Sequence, residues 1–231
     1  MGLAVVSVIG LIAAYFMEDP IHINRLHENL KELKIKPLRK GEKCTYFMRI
    51  KDEKGRDKSY ALTEDSFYFF VAHLSPNCEA FADYLLALWQ QEPFKLILQP
   101  TLGETKQTET LGLWQFDGQR HTISLATGDI KKEVLALILL HEIAHLRLHT
   151  LTTKTIMYDL NGRKARSPYY GQQVKPHGAQ FCQVFSEIAR PTLEMKKLFS
   201  NRQKKHLKQY FESPQKAHLI PLNKCGSIPI Y

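Results

Sequence analysis

Three observations predict an α+β fold, in which a small β-sheet packs on one buried helix and extra helices lie at both ends. Residues 130–149 are apolar over most of a helical circumference, two stretches alternate like hairpins around turn residues, and helical periodicity returns on either side. At 231 residues and 26.7 kDa, with 44% hydrophobic and 24% charged residues, the chain can bury a sizeable core. Disorder, collagen and coiled coil are excluded as descriptions of the whole.

Ile23, Leu26, Leu30 and Leu33 recur at three- and four-residue steps, so 21–33 reads as an amphipathic helix stopped before Pro37. Residues 44–50 and 59–62 flank a charged stretch containing Gly55, which predicts a hairpin. Ser75-Pro76 predicts a helix start running to about Trp89, with Phe81, Leu85 and Leu88 as its core stripe. A short strand follows at 94–98. Residues 111–116 and 121–125 form a second hairpin around Asp117-Gly118. Asp129 caps the long apolar helix 130–149, which carries Val134, Leu135, Leu137, Ile138, Leu139 and Leu140 and belongs in the middle of a core. Residues 150–176, poor in aliphatics and holding Gly162, Pro168, Gly171 and Pro176, predict a long loop. Helices resume at 177–189 and 192–211, before Ser213-Pro214. The chain thus divides into an apolar segment 1–20, a helical and hairpin region 21–92, a main domain 93–212 and a tail 213–231.

The net charge of +9 is unevenly placed. Residues 1–145 hold 17 Lys/Arg against 19 Asp/Glu, and residues 146–231 hold 15 against 4. A back half at +11 points to a polyanionic partner such as nucleic acid. Cys44, Cys78, Cys182 and Cys225 lie far apart with no Cys-x-x-Cys pair, which suits a reduced intracellular protein and excludes a sequence-evident zinc ribbon. The apolar run 2–17 falls short of the roughly 20 residues that span a bilayer and lacks the basic start of a signal peptide. It reads as a buried or adventitious helix, with a membrane anchor as the alternative.

The buried helix contains His141-Glu142-Ile143-Ala144-His145. Histidines four apart share one helical face, so both imidazoles can meet one metal ion. Glu142, beside them, can reach a metal-bound water rather than the metal, the arrangement of a zinc hydrolase with a general base. A helix this apolar would not bury two histidines and a glutamate without a purpose. A catalytic zinc needs a third protein ligand, for which His149, His177 and Glu187 are candidates. His149 lies one more turn along the same helix, about 12 Å from His141 along the axis, and cannot converge with both. It reads as an exposed helix-end residue. His177 sits at the mouth of the next helix and offers a new direction of approach. Glu187 points to a different face and reads as solvated.

His141-Glu-Ile-Ala-His145 followed by His177-Gly178-Ala179-Gln180-Phe181 resembles the paired signature of the SprT-like metallopeptidases, the Spartan-related group. Leu111-Gly112-Leu113-Trp114 and Ile123-Ser124-Leu125 sit where that family has its short sheet, so the resemblance covers about 94–190. It implies a zincin-like metallopeptidase core, with His141, His145 and His177 as Zn2+ ligands and Glu142 as general base. It also implies proteolysis of proteins crosslinked to DNA. The segment between His145 and His177 is longer than in compact members, and the zinc ribbon of some members is lacking because Cys225 stands alone.

DNA contact would therefore use another surface. Arg147, Lys154, Arg163, Lys164, Arg166 and Lys175 surround Tyr158, Tyr169 and Tyr170, and Lys196, Lys197, Arg202, Lys204, Lys205 and Lys208 follow. Such cations engage phosphates, and tyrosines stack on unpaired bases. The sequence thus predicts a zinc endopeptidase acting on DNA-associated proteins in the cytoplasm or nucleoid. Alternatives are a protease anchored to a membrane through residues 2–17 and a nucleic-acid-binding protein with a structural zinc. An intact Glu142 speaks against the last, since a structural site has no need of a base.

Overall fold

The structure is a computed structural model that describes residues 26, 30–32, 34–51, 54–75, 78–102, 104–105, 108–109, 111–128, 132–158 and 163–199, with helical residues 201, 204, 205 and 208. It is a mixed α+β fold. Strands β1 (Phe47–Lys51) and β2 (Asp57–Ala61) form the first hairpin, and two helices, α1 (Glu64–Leu74) and α2 (Glu79–Gln91), lead into β3 (Phe94–Gln99). After the two-residue strands β4 (Glu104–Thr105) and β5 (Thr108–Glu109) come β6 (Gly112–Phe116) and β7 (His121–Ala126). Then follow the long helix α3 (Lys132–Thr153), a small hairpin β8 (Ile156–Tyr158) and β9 (Lys164–Arg166), and α4 (Ala179–Glu194).

The main sheet has the order β2-β1-β3-β7-β6, parallel at β1–β3 and β3–β7 and antiparallel at both edges. Its register aligns Met48, Leu96 and Ile123 in one row and Ile50, Leu98 and Leu125 in the next, all six fully buried. Burying each such side chain contributes about 1.5–3 kcal/mol, so this face dictates the register. Residues 47–61, which the sequence places in a separate region from 93 onward, therefore share one sheet with them. Phe67 of α1 stacks on Trp89 of α2 at 5.4 Å and meets Phe94 edge-on at 5.7 Å, closing the same core.

Several elements depart from the sequence reading. Helix α1 was not foreseen, although Thr63 and Ser66 form a reciprocal capping box at its start. Ser75 caps the end of α1 rather than the start of α2, whose N-cap is Cys78. Helix α3 runs to Thr153, and the supposed loop 150–176 contains β8 and β9. Helix α4 passes through Pro191, where a break was expected. Proline removes one backbone donor, but the Tyr84 hydroxyl donates to the Ile188 carbonyl (2.6 Å) and the Thr192 hydroxyl to that of Ala189 (2.6 Å), satisfying neighbouring acceptors. The cap Asp129, the apolar run 2–17 and the tail 213–231 lie outside the described residues. Among those described, no helix is long and apolar enough to cross a membrane.

Arg147, grouped by sequence with the DNA-facing cations, is instead buried. Its guanidinium donates to Glu92 Oε1 at 2.8 Å and to the Tyr158 carbonyl, tying α3 to the end of α2 and to β8. Arg147→Ala would leave the largely buried Glu92 carboxylate with only the Thr150 hydrogen bond and the charge of Lys154, and chemical denaturation should show a loss of about 3–5 kcal/mol. A loss below 1 kcal/mol would mean that solvent reaches Glu92 and the pair is idle.

Candidate metal centre

Helix α3 is buried along most of its length: Leu135, Ala136, Ile138, Leu139, Leu140, Ala144 and Leu146 are fully covered. The polar residues His141 and Glu142 are buried within it, at 7% and 2% exposure. His145 lies one turn on and is half-buried. The third imidazole comes from His177, in the turn closed by the Gly178 N–H to Lys175 carbonyl bond just before α4.

The three Nε2 atoms form a nearly equilateral triangle, with His141–His145 at 3.2 Å, His145–His177 at 3.1 Å and His141–His177 at 3.3 Å. Hydrogen bonding cannot account for it. Each Nε2 carries either a proton or a lone pair, so three mutual contacts cannot all join a donor to an acceptor. A tetrahedral ion with bonds of about 2.0–2.1 Å to nitrogen sets its ligand atoms about 3.3 Å apart, close to what is observed. The group could hold a metal ion, and it is the one such cluster among the described residues. Comparison with protein-family models, curated proteins and solved structures finds no match for this chain.

Electrostatics favour the metal-ready form. Burial, and then the neighbouring imidazoles, hold His141 well below the usual histidine range and bring His145 down to about 3; burial also lowers His177. All three are therefore neutral at pH 7 with lone pairs available. Burial pushes the Glu142 carboxyl up to about 8, opposed by the Trp114 backbone N–H that donates to it. Its Oε1 has no hydrogen-bond partner among the described residues. A nearby divalent cation would favour the ionised form.

Phe181 supports the triangle. Fully buried, it lies 4.3 Å from the His145 ring, 4.9 Å from His141 and 5.0 Å from His177, and stacks in turn on Phe185. The sequence motif contains this phenylalanine, but nothing in the spacing discloses that it is the wall shared by all three histidines.

On the opposite side runs β6. Gly112, Trp114 and Phe116 face α3, and β6 and α3 advance in step: Gly112 lies over Ile138 and Glu142, Trp114 over His145 and Phe116 over His149. His149 is thus no exposed helix end. It is half-buried among Trp114, Phe116 and His121, and the Trp114 indole donates to His121 Nδ1 at 3.2 Å. Glu187 is exposed, as expected, and accepts from Gln183 at 3.1 Å.

The residues foreseen for DNA contact are differently disposed. Arg163, Lys164 and Arg166 are exposed beside or on β9, and Tyr170, Lys205 and Lys208 are also exposed. Tyr169 is half-buried against the core, with its hydroxyl donating to Gln183 at 2.7 Å. Lys204 donates to the Met195 carbonyl at 3.0 Å.

Proposed function

We propose that this chain is a zinc-dependent endopeptidase of the SprT-like type, with a zincin-like core, that cuts proteins associated with DNA. The observation that carries the reading is a buried carboxyl with an unpartnered oxygen, Glu142, directly after the first of three imidazoles that converge on one point. Three nitrogen donors, with no fourth His, Cys, Asp or Glu joining them among the described residues, are the donor set of a catalytic zinc rather than a closed structural one.

His141, His145 and His177 would hold the ion. When bound, zinc acts as a Lewis acid and lowers the pKa of water towards 7. Glu142 takes a proton from the attacking water on its carboxylate and returns it to the leaving amine. The Trp114 N–H fixes the direction of that carboxylate. The substrate side is supported by β6, an edge strand. The Ala126 N–H to Leu111 carbonyl and Asp117 N–H to Arg120 carbonyl bonds set the ladder phase, so the backbone groups of Gly112, Trp114 and Phe116 point away from β7. An extended peptide can add along that edge through the backbone groups other than the Trp114 N–H, which the Glu142 carboxylate holds. The charge of 146–231 supports substrates held on DNA.

Purified protein is expected to contain about one zinc per chain, with proteolysis lost on chelation and restored by added zinc. Absence of a stoichiometric metal, or cleavage indifferent to chelator, would overturn the proposal.

A further inference from the structure

A second basic site draws all but one of its cations, Arg120, from outside the segment that resembles SprT-like proteins. A groove of about 790 Å3 opens between residues 37–45, the β1–β2 hairpin and the β6–β7 turn. Arg39, Lys40, Lys43, Arg49, Lys58 and Arg120 line it, against two carboxylates, Glu42 and Asp57. Among the described residues none of the six cations is ion-paired. The wall is built in place: Leu38 N–H donates to the Ser59 carbonyl (2.7 Å), and the Arg120 guanidinium donates to the Thr45 carbonyl (3.3 Å). Glu42 is engaged with the Arg39 N–H at 2.9 Å.

Six like charges gathered in one concavity repel one another, and a concave wall focuses their field. A fold that assembles them from four separate segments, without pairing them, is arranged for an anion. We propose that this groove binds the phosphate backbone of single-stranded nucleic acid. Six cations drawn from four segments can engage several phosphates at once, more than one small anion needs. A positively charged groove that tracks the backbone is how single strands are held. The Phe47 ring in the wall is covered by Arg49 at 5.1 Å and Lys95 at 5.8 Å, so it presents these charges rather than a free stacking face. The groove lies in the half of the chain whose net charge is −2, where the sequence points to no such partner. The inference is independent of the peptidase reading.

The test compares full-length wild type with the triple variant Lys40→Glu/Lys43→Glu/Lys58→Glu and with Lys204→Glu/Lys205→Glu/Lys208→Glu, using a fluorescent oligothymidylate at several salt concentrations. Lys40, Lys43 and Lys58 are exposed, so the fold should survive, and unchanged circular dichroism and metal content verify this independently of binding. The groove variant should bind at least tenfold more weakly, with its salt slope reduced by about 2, the value for three single-strand phosphate contacts. The tail variant should retain most affinity. Wild-type protein that shows no salt-dependent binding would overturn the proposal. So would a tail variant weaker than the groove variant, a duplex preferred over the single strand, or inorganic phosphate competing at concentrations equivalent to the oligonucleotide's phosphates.

Discussion

His177→Ala is expected to strip the metal as completely as His141→Ala or His145→Ala, whereas Glu142→Gln keeps the metal and loses cleavage. Each histidine supplies one corner of a triangle with sides of 3.1–3.3 Å, and two remaining nitrogens cannot enclose an ion. The loss in metal affinity should exceed the roughly 10- to 100-fold that removal of an outer-shell partner costs. Glu142→Gln leaves the three nitrogens in place and removes only the proton acceptor, so turnover should fall by about 100- to 10,000-fold at unchanged metal content. His149→Ala and Glu187→Ala should retain metal, because His149 packs against Phe116 and Glu187 lies exposed on α4. Metal analysis of the six variants decides the matter. Loss of metal in Glu187→Ala, with retention in His177→Ala, would refute the SprT-like assignment and the three-histidine centre together.

The second large effect is expected at a residue with no side chain. A Cβ on Gly112 would stand 2.5 Å from Ile138 Cγ2 and 2.6 Å from Glu142 Oε1. Neither gap can be tolerated, so Gly112→Val must displace β6, the carboxyl or both. Overpacking of this kind costs about 1–3 kcal/mol, and displacement of a catalytic group by 1 Å costs about 100-fold in rate. The three histidines are not among these contacts, so metal content should persist while cleavage collapses and the melting temperature drops. Gly112→Ala should show the same pattern, weaker. Wild-type cleavage in Gly112→Val would mean that β6 does not hold Glu142 in its working position.

The parts of this site that were legible in the sequence are the local ones. Two histidines four apart share a face in any α-helix, so His141 and His145 were readable together from their spacing. The β6–β7 hairpin was readable because Asp117-Gly118 supplies a turn in which Gly118 adopts a φ of +92°. Helix α1 carried a legible signal in Thr63 and Ser66 and in the i, i+3, i+4, i+7 stripe of Phe67, Phe70, Val71 and Leu74, a stripe that the intervening Tyr68, Phe69 and Ala72 blur in the sequence. Residue type alone places Arg147 on the surface, and helix-end position alone places His149 there. Glu92, 55 positions away in the chain, neutralises the first, and Trp114 and Phe116 cover the second.

By itself, then, the sequence determined most of the elements, though not α1, β8 or β9, and the helix half of the metal centre, because caps, turns and helical repeats act over four residues or fewer. Tertiary structure alone decided the rest, since each remaining feature joins segments that only packing brings together. The packing of α3 against the edge strand β6 sets Gly112 against Glu142. The return of the chain through α4 brings His177 to within 3.3 Å of both helix histidines and inserts Phe181 among all three. The basic groove takes its cations from residues 39 to 120, and no window of sequence contains them as a cluster. Local rules specify which residues lie side by side on one element; the burial of apolar faces decides which elements meet, and thereby where charge and metal ligands converge.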